Sequence, residues 1–134
     1  MIFVDTSAFL AIENLRDTHH EEALSYQRSC LKKGRPLATS DYVLDETYTI
    51  IRIRAGHAIA VQFGEALRAS RLMRVEYLTP DTIESAWRIF KTFADHEFSF
   101  TDCTSFVLME RLGLEAAFTF DAHFRQYGRF LVNP

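Results

Sequence analysis

Cysteine is nearly missing from this chain: among 134 residues only Cys30 and Cys103 occur. Two thiols build no disulfide framework, and neither stands in a CxxC or Cys/His metal spacing. They are expected to be reduced thiols of a cytoplasmic protein. Lysine is almost as scarce, with Lys32, Lys33 and Lys91 alone. No apolar run approaches the ~18 residues of a membrane span. Neither a basic segment nor a long apolar one opens the chain, so no signal peptide is expected. Linkers, low-complexity stretches and internal repeats are likewise missing. Net charge is only −3, which excludes a general basic signature. What is present is a globular composition, 48% hydrophobic and 25% charged, with twelve Phe that imply a dense interior. The length suits one domain over residues 1–134.

Two stretches share one device. Ile2-Phe3-Val4 is an apolar run of strand type that ends abruptly at Asp5, followed by Thr6 and Ser7. Near the other end, Ala116-Ala117-Phe118-Thr119-Phe120 runs into Asp121. A carboxylate at the end of a buried strand is costly unless something uses it, and in open α/β sheets that edge is where ligands bind. Between these stretches, short strands at 37–39 and 72–78 alternate with helical patterns. The helices are expected at about 6–16, 17–33, 41–54, 57–70, 79–94 and 102–112, and a last strand at 129–132. Asp17, Ser40 or Asp41, and Pro80 supply start signals; Gly34, Gly56 and Gly113 supply stops. The pattern predicts an α/β fold, a central parallel sheet of about five strands flanked by helices.

Two further acids join the strand-end pair. At 100° per residue Glu46 borders a stripe containing Val43, Ile50 and Ile53, whereas Asp45 shares an outer face with Arg52. Glu46 is therefore the inward acid, to be neutralised, ion-paired (Arg54 is the candidate) or metal-bound. Asp102 follows Phe98-Ser99-Phe100-Thr101 just ahead of the apolar run from Phe106. An acid there is ordinarily a helix cap, but Ser99, Thr101 and Thr104 already offer capping oxygens. Asp5, Glu46, Asp102 and Asp121 are expected at element ends that a parallel sheet brings to one edge. Four converging carboxylates repel one another unless cations compensate. Oxygen ligands without His or Cys spacing point to Mg²⁺ or Mn²⁺ rather than zinc. Such ions generate hydroxide and steady both oxygens of an in-line displacement at phosphorus, so the derived chemistry is metal-dependent phosphodiester hydrolysis. Five arginines between Arg52 and Arg74 face one acid, Glu65, and so mark a basic patch for a polyanion or a solvated helical face.

Ile2-Phe3-Val4-Asp5-Thr6-Ser7, the Glu46 helix, Phe98-Ser99-Phe100-Thr101-Asp102 and Phe118-Thr119-Phe120-Asp121 together resemble the PIN-domain ribonucleases, most closely the VapC-type toxins of toxin–antitoxin pairs. The resemblance spans essentially the whole chain. It implies that Asp5, Glu46, Asp102 and Asp121 form an acidic quartet binding Mg²⁺ or Mn²⁺, with Thr6 or Ser7 and Thr101 in support. It further implies an endoribonuclease acting on tRNA, rRNA or mRNA that leaves a 3′-hydroxyl and a 5′-phosphate. A homodimer and a cognate VapB-type antitoxin whose tail enters the active-site groove are also implied. Within that frame, Asp5 and Asp102 would hold the principal metal, Glu46 would be ligand or water-orienting base, and Asp121 would complete the site. Arg52 and Arg54 are the tentative phosphate contacts. Some relatives carry a further acid where this chain has His123, and that histidine is left outside the core site.

Three rivals remain. Aspartyl phosphatases place a second Asp two residues after the first and a lysine near the site; here the former position is Ser7 and lysines are few. A PIN nuclease of RNA processing would have no antitoxin beside it. The third is a binding module in which the acids are retained but catalysis is lost, against which four intact candidate ligands argue.

Overall fold

Ile2, Phe3 and Val4 are strand formers with no polar side chain among them, and all three are buried. They form β1 (Ile2–Val4), the middle strand of a five-stranded sheet in the computed structural model, which describes residues 1–134. β2 (Leu37–Ser40), β3 (Met73–Glu76), β4 (Ala116–Phe118) and β5 (Leu131–Asn133) complete the sheet in the order β3-β2-β1-β4-β5. Every pairing is parallel, with Phe3 opposite Ala38 on one side and Ala117 on the other. The chain leaves β1 for β2 in one direction and returns on its other side as β4. This reversal opens a crevice beyond the C-terminal ends of β1 and β4.

The connecting helices are α1 (Thr6–Glu13), α2 (His20–Lys32), α3 (Asp41–Ala55), α4 (His57–Ala69), α5 (Pro80–Thr92), α6 (Phe100–Leu112) and α7 (Ala122–Tyr127). Ser40 caps α3 by accepting from the Val43 N–H, and Thr79 caps α5 ahead of Pro80. Gly56, at φ +96°, turns α3 into α4 through a backbone region that L side chains rarely adopt. α6 buries every residue from Asp102 to Met109, and Phe106 stacks on Tyr127 at 4.2 Å between ring centroids. No helix is long and apolar enough to cross a membrane.

The architecture matches the sequence expectation, while several element ends differ. α2 begins at His20 rather than Asp17, because the Asp17 carboxylate accepts the His19 N–H in a local turn. β4 stops at Phe118: the N–H groups of Phe120 and Asp121 bond to side-chain hydroxyls of Ser7 and Thr119 instead of a neighbouring strand. α7 has no counterpart among the expected helices, since six residues are too few to establish a helical period. The α3 stripe also needs correcting. Its buried residues are Val43, Leu44, Thr47 and Ile51, whereas Ile53 is 78% exposed and Ile50 only half-buried.

Candidate active site

Asp5 follows directly on β1, with its N–H donating to the Phe118 carbonyl of β4. It is the N-cap of α1, and its Oδ2 accepts from the Ser7 N–H at 3.3 Å and the Ser7 hydroxyl at 3.0 Å. The Thr119 hydroxyl donates to the same oxygen at 3.1 Å. Only 4% of the residue is exposed. Burial, reinforced by the charge of Asp102, pushes the Asp5 carboxyl up to about 7, against the opposing hydrogen bonds from Ser7 and Thr6.

Asp102 stands in the first turn of α6. The Ser99 hydroxyl accepts its N–H at 2.9 Å, and its Oδ2 accepts the Ser99 N–H at 3.0 Å, a reciprocal capping box. The acid therefore does take part in capping, contrary to the expectation that the neighbouring hydroxyls would suffice. It is buried as well. Burial raises its carboxyl above the ordinary range and the Asp121 charge adds to the effect, opposed by the Ser99 and His123 hydrogen bonds. Asp121 caps α7, accepting the His123 N–H at 2.9 Å.

His123 stands against this group, whereas the sequence reading leaves it outside the core site. Its Nδ1 lies 2.8 Å from Asp102 Oδ2 and 3.2 Å from Asp121 Oδ1. The reason is α7: starting that helix at Asp121 turns His123 back over the carboxylate two residues earlier. One donor atom each from Asp102, Asp121 and His123 lie within 4.8 Å of one another, close enough to share a cation. No arginine or lysine pairs with Asp5, Asp102 or Asp121; the strong cations pair elsewhere, Arg74 with Glu76 and Arg129 with Glu110. Buried Asp5 and Asp102, with half-buried Asp121 beside them and no permanent countercharge, are a donor set that fits a divalent cation.

Other expected members are not part of the Asp102–Asp121–His123 group. Glu46 is half-buried in the second turn of α3 and makes neither hydrogen bond nor ion pair, so it is a mid-helix residue and not one at an element end. Arg54 does not pair with it: eight residues of helix rise roughly 12 Å, two turns away. The link between α3 and the centre runs instead through Thr6. Thr47 Oγ1, 2.7 Å from the Val43 carbonyl, also lies 3.2 Å from Thr6 Oγ1. Ser7 is thus the hydroxyl that touches Asp5, and Thr6 ties α1 to α3. The Thr101 side chain makes no hydrogen bond; its carbonyl accepts the Thr104 hydroxyl. Thr119, whose hydroxyl donates to Asp5 Oδ2, is a contact that the sequence reading misses. Arg52 lines a groove of about 350 Å³ between α3 and α4 together with His57, Glu65 and Arg68. Arg54 faces a separate hollow beside Glu13 and Asn14. Burial pushes the Cys103 thiol up to about 11.

A parallel α/β sheet with acids gathered at its topological switch point places a group able to hold a cation beside a ligand crevice. The PIN domain family profile matches residues 2–130, and the chain belongs to that family. It is 40% identical to the 23S rRNA-specific endonuclease VapC20 of Mycobacterium tuberculosis, over 100% of this chain and 99% of that protein. The crystal structure of M. tuberculosis VapC20, described as a sarcin-ricin loop cleaving toxin, superposes with a TM-score of 0.88 at 38% identity, covering 100% of both chains. FitAcB from Neisseria gonorrhoeae shares the fold alone, with a TM-score of 0.72, 14% identity and coverage of 100% and 97%.

Proposed function

We propose that this chain is the endoribonuclease toxin of a toxin–antitoxin pair and that its substrate is 23S rRNA, cut in the sarcin–ricin loop. The observation that carries the reading is the group of Asp102, Asp121 and His123 at the switch point, with buried Asp5 feeling the Asp102 charge, in a chain 40% identical to a ribonuclease of that specificity. Residues 1–134 act as one domain, in the cytoplasm where ribosomes are found. Asp5, Asp102 and Asp121 would hold the cation, with Glu46 as the fourth acid carried in by α3. Mg²⁺ and Mn²⁺ both suit such carboxylates. A cation bound there supplies Lewis-acid polarisation of the phosphodiester and lowers the pKa of water.

The chain's own residues do the positioning. Ser7 and Thr119 fix Asp5 Oδ2 from two elements, and the Ser99 N–H fixes Asp102 Oδ2. Burial keeps bulk water from competing for these oxygens. In the reaction a water oxygen adds to phosphorus while the bond to the ribose 3′ oxygen breaks, leaving a 3′-hydroxyl and a 5′-phosphate. Homodimerisation and inhibition by a VapB-type antitoxin complete the proposal.

Incubating the purified protein with intact ribosomes and Mg²⁺ or Mn²⁺, then mapping 23S rRNA ends, tests it. One cut in the sarcin–ricin loop, abolished by chelation, is expected. Cleavage of tRNA or mRNA with the ribosome untouched would overturn the substrate assignment. A short neighbouring reading frame encoding an inhibitory partner is expected; the lack of one would favour an RNA-processing role.

A further inference from the structure

We infer that His123 is a nitrogen ligand of the bound cation, and that it tilts the site toward a first-row transition-metal ion and away from Mg²⁺. This rests on reading the acids as a cation site and adds a donor that is not a carboxylate. His123 Nδ1 stands 2.8 Å from Asp102 Oδ2 and 3.2 Å from Asp121 Oδ1. Ligand atoms that share one cation at bonds of about 2.1 Å are roughly 3 Å apart when adjacent, a spacing that Nδ1 has from each of the two carboxylate oxygens, so it would join Asp102 and Asp121 in holding an ion. The ring is also held in place. The His123 backbone N–H, in the first turn of α7, donates to Asp121 Oδ1, and Phe98 packs edge-on against the ring at 5.6 Å between centroids. With 25% of the side chain exposed, the imidazole is not free to swing into solvent at little cost.

An imidazole before two carboxylates either donates its N–H to them or shares a cation with them through its lone pair. Mg²⁺ is a hard ion that favours oxygen and keeps its waters. Imidazole suits later first-row ions, so one nitrogen among oxygens raises their relative affinity. Carboxylates alone point to Mg²⁺ or Mn²⁺; the histidine changes the donor set and with it the preference.

The test uses the tag-free full chain and needs no turnover. Loaded with Mn²⁺, the wild-type protein is expected to show histidine nitrogen coupling in pulsed electron paramagnetic resonance, and His123→Asp to lose it. Calorimetric titration with Co²⁺ and Mg²⁺ is expected to show a Co²⁺/Mg²⁺ affinity ratio at least about tenfold larger in the wild type than in His123→Asp. Wild-type Mn²⁺ binding without nitrogen coupling would overturn the inference and leave the cation site standing. So would coupling that persists in His123→Asp, or an unchanged affinity ratio. If neither Mn²⁺, Co²⁺ nor Mg²⁺ bound the wild type, the cation site itself would fall. The wild-type spectrum decides even if the variant misfolds.

Discussion

Asp5 combines two properties that ordinarily exclude each other: it is 4% exposed, and no strong cation neutralises it. Its carboxyl ionises near 7 in the folded state rather than near 3.8. Between about pH 4 and 7 the unfolded chain therefore gives up this proton first, and folding weakens as pH rises through that window. This is opposite in sign to a salt-bridged aspartate. In chelator, Asp5→Asn is expected to melt higher than the wild type at pH 8, by up to an amount on the order of 4 kcal/mol, with the gain fading toward pH 4. Equal differences at both pH values would contradict the assignment. Adding Mn²⁺ at pH 8 should raise the melting temperature of the wild type and not that of Asp5→Asn. Ser7→Ala removes one donor to Asp5 and the acceptor of the Phe120 N–H. It is expected to cost about 1–3 kcal/mol in urea unfolding and roughly 10–100-fold in Mn²⁺ affinity by calorimetry.

At the scale of elements, the N-termini of α1, α6 and α7 each present an acid to one centre through ordinary capping: Asp5 and Asp121 as caps, Asp102 in a capping box. Helix starts serve here as the means of aiming carboxylates. Ser99→Ala should therefore cost about 1 kcal/mol of stability, whereas Thr101→Ala, whose side chain is unbonded, should be close to neutral; chemical denaturation compares the two directly. Legibility follows the same line. A strand ending in Asp announces its acid through composition alone, so Asp5 and Asp121 are visible in the sequence as candidates, and so is Asp102 beside its hydroxyls. His123 and Thr119 are not visible as partners, because their contacts depend on where β4 stops and α7 starts. Those boundaries are set by hydrogen bonds to Ser7 and Thr119 that no periodicity reveals. Helical phase puts Glu46 on the inward side, and the structure leaves it half-buried, tied to nothing within the chain.

Across the whole molecule, the groove that holds Arg52 and Arg68 is lined by none of Asp5, Asp102 and Asp121. The groove lined by Arg52, His57 and Arg68 lies between α3 and α4, apart from the carboxylates at the sheet edge. A strongly negative substrate can then be held by one region and cut at the other. Replacing both Arg52 and Arg68 by Glu is expected to weaken binding of a sarcin–ricin stem-loop RNA and to flatten the dependence of affinity on salt, by roughly 0.7 in logarithmic slope for each phosphate no longer neutralised. Cleavage at saturating RNA should change little. The parallel order of the sheet is readable from alternating short strands and helices, whereas the reversal at β1, which locates the crevice, depends on long-range pairing of Phe3 with Ala117. The central claim is that the acids gathered at this reversal carry out metal-dependent RNA hydrolysis. Its most direct measurement is the single-turnover rate of ribosomal RNA cleavage by Asp5→Asn beside the wild type, at saturating Mg²⁺ and again at saturating Mn²⁺. A loss of at least about 100-fold with both ions is predicted; cleavage at the wild-type rate with either ion would contradict the account.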